Sequence, residues 1–565
     1  MADVDKSIRL YALQNAIKYN GQAQIGAVLG KILGEFPEQK KDVPALKKRI
    51  EKILKEVNVI PVEKQTAELR EKAPELLEKP KTEEKELKDL PDAVSGKVVM
   101  RFAPSPSGAL HLGRAIVLSL NYLYVQKYKG KLILRLEDTN PEGIFKEAYK
   151  LIEEDAQWLT KKGVNKTIIQ SDRLGSYYDC IEKLVKKGVA YVCTCEQDAF
   201  RELIMKCTAC PCRNLSVEEN HLRWNKMFGE FKPGEAVVRI KTDVNHKNPA
   251  MRDWPAARIN DHTHPRTGTE HRVWPLMNLA VAVDDHELGV THSIRGKDHA
   301  DNEKRQKYVF DAMGWKPPVQ LYIGRINFIG MDLSTRQTKL DIENGKYSGW
   351  DDIRLPTLRA LSKRGYQQDA FLRYAQEMGI SLTDKTVSSE EFFKIIDAFN
   401  RDIIDPVAKR FFFVNNPVKI IVEGAPEQTV KLQKHPSNKK LGERTMKSSN
   451  AFLISSDDFA GIKANNLYRL MECINFTKKG SKLAFSSTTV DEFREKGDKI
   501  MHWLPESHEL LNVEVVMPDK SIVKGLGEPA LSELKVGEII QFERRYFARL
   551  DEKKGNTLIF WYLHK

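Results

Sequence analysis

The stretch "RFAPSPSGALHLGRA", Arg101 to Ala115, lies between a short apolar run, Val98 to Met100, and a segment of helical character, Ile116 to Lys129. A strand, a tight loop and a helix beginning near Gly113 leave unpaired backbone N–H groups and the positive end of the helix dipole facing the loop, which favours phosphate there. Gly108 and Gly113 allow close approach, His111 is a hydrogen-bond donor for phosphate oxygens, and Ser105 and Ser107 add hydroxyls. A structural turn capped by a histidine satisfies the same residues, so the segment alone leaves both readings open.

Outward from this stretch, Val98 to Phe102 reads as a strand, Leu112 to Tyr128 as a helix and "KLILRLED" as a second strand, a βαβ unit. The amphipathic helices "AYKLIEEDAQWL" and "SYYDCIEKLVKKG" flank the strand "TIIQ", so the spacing predicts a parallel, doubly wound sheet. The cysteine-rich segment and "EAVVRIKTDV" break the rhythm, which resumes with "LAVAVDDHELGVTHSIRG" and the helix "NEKRQKYVFDAMG". An insertion therefore splits the sheet domain. Upstream, residues 7 to 19 place Ile8, Leu10, Leu13 and Ile17 near one helical face, with Asp5 or Ser7 as cap, and a second helix is expected over Gln22 to Leu33. From Lys40 to Pro91 charges of both signs mix densely, as in short solvent-facing helices grading into a linker. Downstream of Lys339 come the helices "PTLRALSKRG" and "AFLRYAQEMG", and from about Asn415 the β runs "PVKIIVEG", "IQFERRYFARL" and "TLIFWYLH", as expected of antiparallel barrels. The expected layout is a multidomain α/β chain. Residues 1–95 form an N-terminal helical domain and charged linker, and 96–187 and 276–340 the two halves of a Rossmann-like domain. The insertion takes 188–275, a helical connector 341–414 and the β-barrel region 415–565.

At 565 residues the chain is too long for one core. Ninety-one basic against 78 acidic residues give a net charge of +13, which fits a nucleic-acid partner without requiring one. No apolar stretch reaches the roughly 18 residues a membrane helix needs, and Met1 to Arg9 lacks the pattern of a signal peptide, so a cytoplasmic protein without a membrane partner is expected. Of seven cysteines, five fall between Cys193 and Cys212. "CTC" and "CTACPC" suit tetrahedral zinc better than disulfides, Cys193 and Cys195 joining two of Cys207, Cys210 and Cys212, with free thiols as the alternative. Cys180 and Cys473 read as buried thiols.

Taken together, "PSPSGALHLGRA" resembles the signature that carries the His-x-Gly-His motif of class I aminoacyl-tRNA synthetases, in the glutamyl and glutaminyl subgroup. "LRLEDTNPE" is similar to that subgroup's second strand, and "VDDHELGVTHSIRGKDH", "GWDD" and "LPTLRALSKRGY" match further segments. These cover most of residues 97 to 420, and the text is most similar to the archaeal type of glutamyl-tRNA synthetase. Two positions depart from the pattern. Arg114 replaces the last histidine of the first signature. The second signature aligns with "MDLSTRQTK", where Ser334 and Arg336 are kept but Thr335 replaces a lysine, leaving Arg336 or Lys339 to supply the charge.

The resemblance implies ATP-dependent activation of glutamate and its transfer to the 2′-hydroxyl of the terminal adenosine of tRNA. Such chemistry works by alignment and charge neutralisation without a protein nucleophile. It assigns His111, Gly113, Arg114, Ser334 and Arg336 to the phosphates, with Mg²⁺ bridging phosphate oxygens; Pro104, Ser105 and Gly108 to the ATP site; and Asp298 to the ribose. By the same resemblance Arg101 and Arg295 line the amino-acid pocket with Ser105, Glu137 holds the α-ammonium, and Met277 stands where the family has a tyrosine. The cysteine pattern of related synthetases favours Cys210 and Cys212 beside Cys193 and Cys195 as a structural zinc site. In the insertion, expected to open the acceptor end of tRNA, "HKNPAMRDWPAARI" and "HTHPRTGTEHRVW" interleave basic, histidine and aromatic residues suited to phosphate contact and base stacking. Surface ion pairs are the plain alternative for Arg101 and Arg295. A glutaminyl ligase and an inactive RNA-binding relative are the rival functions, Arg295 arguing for glutamate. Still open are whether tRNA for glutamine is also charged with glutamate, and whether the N-terminal module meets tRNA or a partner protein.

Overall fold

A computed structural model describes residues 2–19, 21–76 and 85–565, so the part of the charged linker at 77–84 lies outside the described residues. The chain divides into two compact units, one ending at Lys85 and one running from Glu86 to Lys565.

The first unit holds four helices, α1 (Ala2–Lys18), α2 (Ile25–Glu35), α3 (Val43–Asn58) and α4 (Val62–Lys72). Asp5 and Ser7 do not cap α1 but lie within it, where Asp5 pairs with Arg49 at 2.8 Å and the Ser7 hydroxyl donates to Glu35. The second helix starts later than expected, because Asn15 and Asn58 side chains accept from the backbone N–H of Gln24 and Ala23 and hold that turn out of the helix. Nor is α3 a solvent-facing helix. Leu46, Ile50, Leu54 and Val57 recur at helical spacing and are buried against Ile8, Leu13, Val28, Ile32 and Leu69, a stripe that the surrounding lysines and glutamates obscure in the sequence.

The second unit is built on a five-stranded sheet. Its strands are β1 (Val99–Phe102), β2 (Lys131–Leu136), β3 (Lys166–Ile169), β8 (His292–Gly296) and β9 (Val319–Ile323), in the order β3-β2-β1-β8-β9, and every pairing is parallel. Helices α5 (Leu112–Lys127), α6 (Ala148–Leu159), α10 (Met277–Glu287) and α11 (Ala300–Met313) connect or flank these strands, as a parallel sheet needs to cover both faces. Helix α7 (Leu174–Lys186) leads into the insertion, an antiparallel sheet of β4 (Ala190–Cys193), β5 (Val237–Ile240), β6 (Pro255–Ile259) and β7 (Val273–Pro275), with α8 (Gln197–Met205) and α9 (Val217–Lys226) between its first two strands. Trp254 and Trp274, expected among residues for base stacking, are buried in the core beneath this sheet, and His264 is buried with its ring stacked on Trp274. They stabilise the insertion and present no face to a base.

Beyond β9, β10 (Ile326–Ile329) and α12 (Thr335–Glu343) precede α13 (Leu358–Arg364) and α14 (Gln368–Met378); β11 (Lys385–Ser388) pairs in parallel with β10 and runs into α15 (Ser389–Ile404). From Lys409 onward two seven-stranded sheets follow, largely antiparallel. Parallel contacts occur where distant strands meet, as between Leu511–Val516 and Thr557–His564. No helix among the described residues is long and apolar enough to cross a membrane.

Candidate active site

β1 ends at Phe102, and residues 103–111 form the loop before α5, whose N-cap is His111 in an extended conformation. The loop is stitched from outside. Leu358 donates to the carbonyl of Leu110 at 2.8 Å, Phe145 donates to that of Pro106 at 2.9 Å, and Asp155 accepts from Leu110 N–H at 3.1 Å. Thr335 and Ser107 hydroxyls meet at 3.2 Å, joining the second signature to the first.

A cavity of about 300 Å³ opens at the C-terminal ends of β1, β2 and β8. Arg101, Pro104, Ser105, His111, Gly113 and Arg114 line it from the first signature, joined by Glu137 after β2, Met277 at the start of α10 and Arg295 in β8. Both glycines of the signature have local reasons. A Cβ on Gly113 would come within 3.2 Å of the His111 ring, and one on Gly108 within 2.4 Å of the Trp350 ring. Gly108 is not on the cavity wall; its place is set by Trp350, which also packs against Phe145. Asp298 lies just outside the lining, between Gly296 and His299, which belong to it. Ser334 caps α12 by accepting from Gln337 N–H at 3.2 Å. Arg336 is exposed in the first turn of α12 with no ion pair among the described residues, whereas Lys339 pairs with Glu343 at 3.6 Å and sits over the Phe145 ring.

Burial governs the electrostatics. The His111 ring is pushed down to about 4 by burial and then by the charge of Arg114, so it is neutral near pH 7, and its Nδ1 is buried without a partner among the described residues. Arg114 donates to the Ser105 carbonyl at 3.2 Å. Arg295 is brought down to about 10 by burial and by the neighbouring Arg101; it reaches only the Gln306 amide oxygen, at 3.2 Å, and has no carboxylate in ion-pair contact among the described residues. Arg101 reaches Asp285 at 3.4 Å and the Ser293 hydroxyl at 3.4 Å.

Three residues that the sequence does not single out complete the site from behind. Arg135, fully buried in β2, donates to Asp285 at 2.6 Å and to Glu137 at 3.0 Å. Burial opposes its charge, but Asp285, Glu137 and Asp284 hold the guanidinium above the ordinary arginine range. Asp284 and Asp285 are consecutive carboxylates inside the otherwise apolar run of α10, and that pair of acids is the signal that marks them.

In the insertion, Cys193, Cys195, Cys210 and Cys212 bring all four sulfurs within 4.8 Å of one another. Cys193–Cys210 and Cys195–Cys212 are each 3.8 Å apart, the separation that tetrahedral bonds of about 2.3 Å require. Tyr191 meets Cys210 at 3.4 Å and Arg223 donates to Cys212 at 3.4 Å, partners suited to thiolates. Cys207 is exposed and stands outside the cluster.

The arrangement is a tight loop at a helix N-terminus, suited to phosphate, beside a small arginine-lined pocket. The family model described as tRNA synthetases class I (E and Q), catalytic domain, matches residues 97–405, and the two anti-codon binding domains of the same family match 408–492 and 500–551. Relatives span the whole chain. The glutamate–tRNA ligase of Methanobrevibacter smithii is 43% identical over 568 residues, that of Pyrococcus furiosus 44% over 583 and that of Methanocaldococcus jannaschii 42% over 569, each alignment covering 100% of both chains. A signature loop braced by the second signature, a split parallel sheet and paired C-terminal β sheets all agree with these matches, and the chain belongs to the class I tRNA synthetases of the E and Q group.

Proposed function

We propose that this chain is a glutamate–tRNA ligase, working in the cytoplasm on glutamate, ATP and tRNA. The observation that carries the reading is Arg295: a buried guanidinium on the cavity wall, next to Arg101 and without a carboxylate partner among the described residues. An unmatched buried cation favours an acidic side chain and penalises its amide, which would leave the charge unpaired. Glu137, in the same cavity lining, suits the α-ammonium, and Met277 supplies apolar wall without a hydroxyl.

In the first step the α-carboxylate oxygen attacks the α-phosphorus of ATP, and the bond to pyrophosphate breaks as the new P–O bond forms. In the second, the 2′-hydroxyl of the terminal adenosine attacks the activated carbonyl, losing its proton and releasing AMP. The protein orients these groups and balances charge. Neutral His111 donates to a phosphate oxygen, Arg114 offsets charge at the α5 N-terminus, and Arg336 takes the part of the second-signature lysine, since Lys339 is held by Glu343 and Phe145. Mg²⁺, when bound, neutralises the phosphate oxygens. Ser334 orients the start of α12, and Asp298 stands beside the cavity mouth for the ribose. The four-sulfur cluster of Cys193, Cys195, Cys210 and Cys212 holds zinc that braces the insertion, and the C-terminal sheets engage the anticodon end of tRNA.

ATP–pyrophosphate exchange in the presence of tRNA tests the reading. Exchange is expected with glutamate and not with glutamine, and Arg295→Gln is expected to raise the glutamate KM on the order of 10²- to 10³-fold, as breaking a buried charge pair at ~3–5 kcal/mol implies. Exchange with neither amino acid refutes the ligase.

A further inference from the structure

We infer that Arg135, which lines no part of the cavity, positions both a carboxylate and an arginine of the amino-acid pocket at once and so sets glutamate selectivity from behind it. The inference rests on the reading of the cavity as a glutamate pocket and adds a residue to it. Arg135 lies in the interior of β2 with no exposed surface. One edge of its guanidinium holds Glu137 Oε1, at 3.0 Å from Nη2 and 3.3 Å from Nε. Its Nη1 donates to Asp285 Oδ1 at 2.6 Å, and the same oxygen takes Arg101 Nε at 3.4 Å. A single planar group thus fixes the carboxylate proposed to hold the α-ammonium and, through Asp285, Arg101, one of the two arginines proposed to line the pocket.

The charges around it leave a place for an acidic ligand. Asp284 is shared between Arg135, at 3.7 Å, and Arg173, at 2.8 Å, and also takes the Tyr177 hydroxyl at 3.0 Å and the Gln170 amide at 2.8 Å. Arg135 and Arg101 are thus matched by Glu137, Asp285 and Asp284, whereas Arg295 beside them has no carboxylate in ion-pair contact among the described residues. That guanidinium is met by one further carboxylate from the substrate side chain. Asp285 has no other structural duty, for its Oδ2 is buried and unpartnered among the described residues. Lysine is not equivalent at position 135: a point charge on a flexible stem cannot span Glu137 and Asp285 with the fixed geometry of a guanidinium.

The test compares the full-length wild-type chain, Arg135→Lys and the doubly neutral Arg135→Gln/Asp285→Asn in tRNA-dependent exchange and in thermal melting. In Arg135→Lys the glutamate KM is expected to rise about tenfold or more while the ATP KM stays within about twofold, a split that general loss of structure does not produce. The preference for glutamate over glutamine is expected to fall in parallel. The double variant removes one charge of each sign and so keeps the net charge, and its melting reports whether it stays folded; it is expected to keep the raised glutamate KM, because Arg101 and Glu137 have both lost their anchor. A wild-type glutamate KM in the double variant overturns the inference, as does an equal rise in both KM values in Arg135→Lys. Failure of the wild-type chain to use glutamate at all overturns the pocket reading instead.

Discussion

Replacing Gly108 by alanine is the sharpest probe of how the phosphate loop is held. The new Cβ would stand 2.4, 2.9 and 3.0 Å from three atoms of the Trp350 six-membered ring, Cη2, Cζ2 and Cζ3. Carbon atoms rest at about 3.5–4.0 Å, so ring or loop must give way by about 1 Å or more. The ring is not free to retreat: Trp350 is 8% exposed, packs on Phe145, and its carbonyl accepts from Thr357, whose segment is bonded to the loop at His111 and Leu110. Overpacking of this kind costs ~1–3 kcal/mol, and displacing aligned phosphate contacts by about 1 Å costs on the order of 10²-fold in rate. We expect Gly108→Ala to lower Tm by a few degrees and to depress ATP-dependent exchange strongly, with the glutamate KM changed less, because Arg295 and Glu137 lie outside this loop and Arg101 precedes it in β1. Adding Trp350→Phe removes the colliding fused-ring atoms and is expected to restore part of the activity. Unaltered ATP kinetics and melting in Gly108→Ala refute the account.

The remaining expectations concern the thiol cluster and His111. Metal analysis of the purified chain should give one zinc per molecule, lost in Cys210→Ser and kept in Cys207→Ser; a metal-free wild type with melting indifferent to a chelator would contradict the assignment. Because burial depresses His111 to about 4 from an ordinary 6.5, the unfolded chain binds a proton there before the native protein does. Its contribution to stability is present above pH 6.5 and is lost as the pH falls towards 4. The difference in stability between the wild type and His111→Asn should change over that window and be flat above it, and a flat difference throughout would show that the ring titrates normally.

The Rossmann-like half was legible because strands buried on both faces read as short apolar runs and the helices between them as amphipathic ones, and strands that alternate with helices pair in parallel. The signature loop and the arginines of the cavity stood out by motif. What stayed hidden depends on contacts distant in sequence. Arg135 looks like any arginine in a strand until Asp285, 150 residues away, comes to lie against it. Gly108 reads as room for a ligand, and only the fold shows Trp350 occupying the space. The tryptophans at 254 and 274 read as RNA-stacking groups because composition does not tell an inward face from an outward one. In the charged N-terminal region the apolar stripe of α3 was present at full helical spacing but diluted by lysine and glutamate.

The central strand of the parallel sheet also sets a schedule for synthesis. Val99 donates to the Thr291 hydroxyl, 192 residues further on, and everything between, the whole insertion included, leaves the ribosome before that edge of β1 finds its neighbour. At 5–20 residues per second the gap lasts ~10–40 s. For that interval the nascent chain carries an open strand edge beside an unfinished cavity, and an open edge is a template for wrong pairing. Splitting the parallel sheet with an inserted antiparallel one therefore places a demand on chaperones that an uninterrupted sheet of the same size would not make.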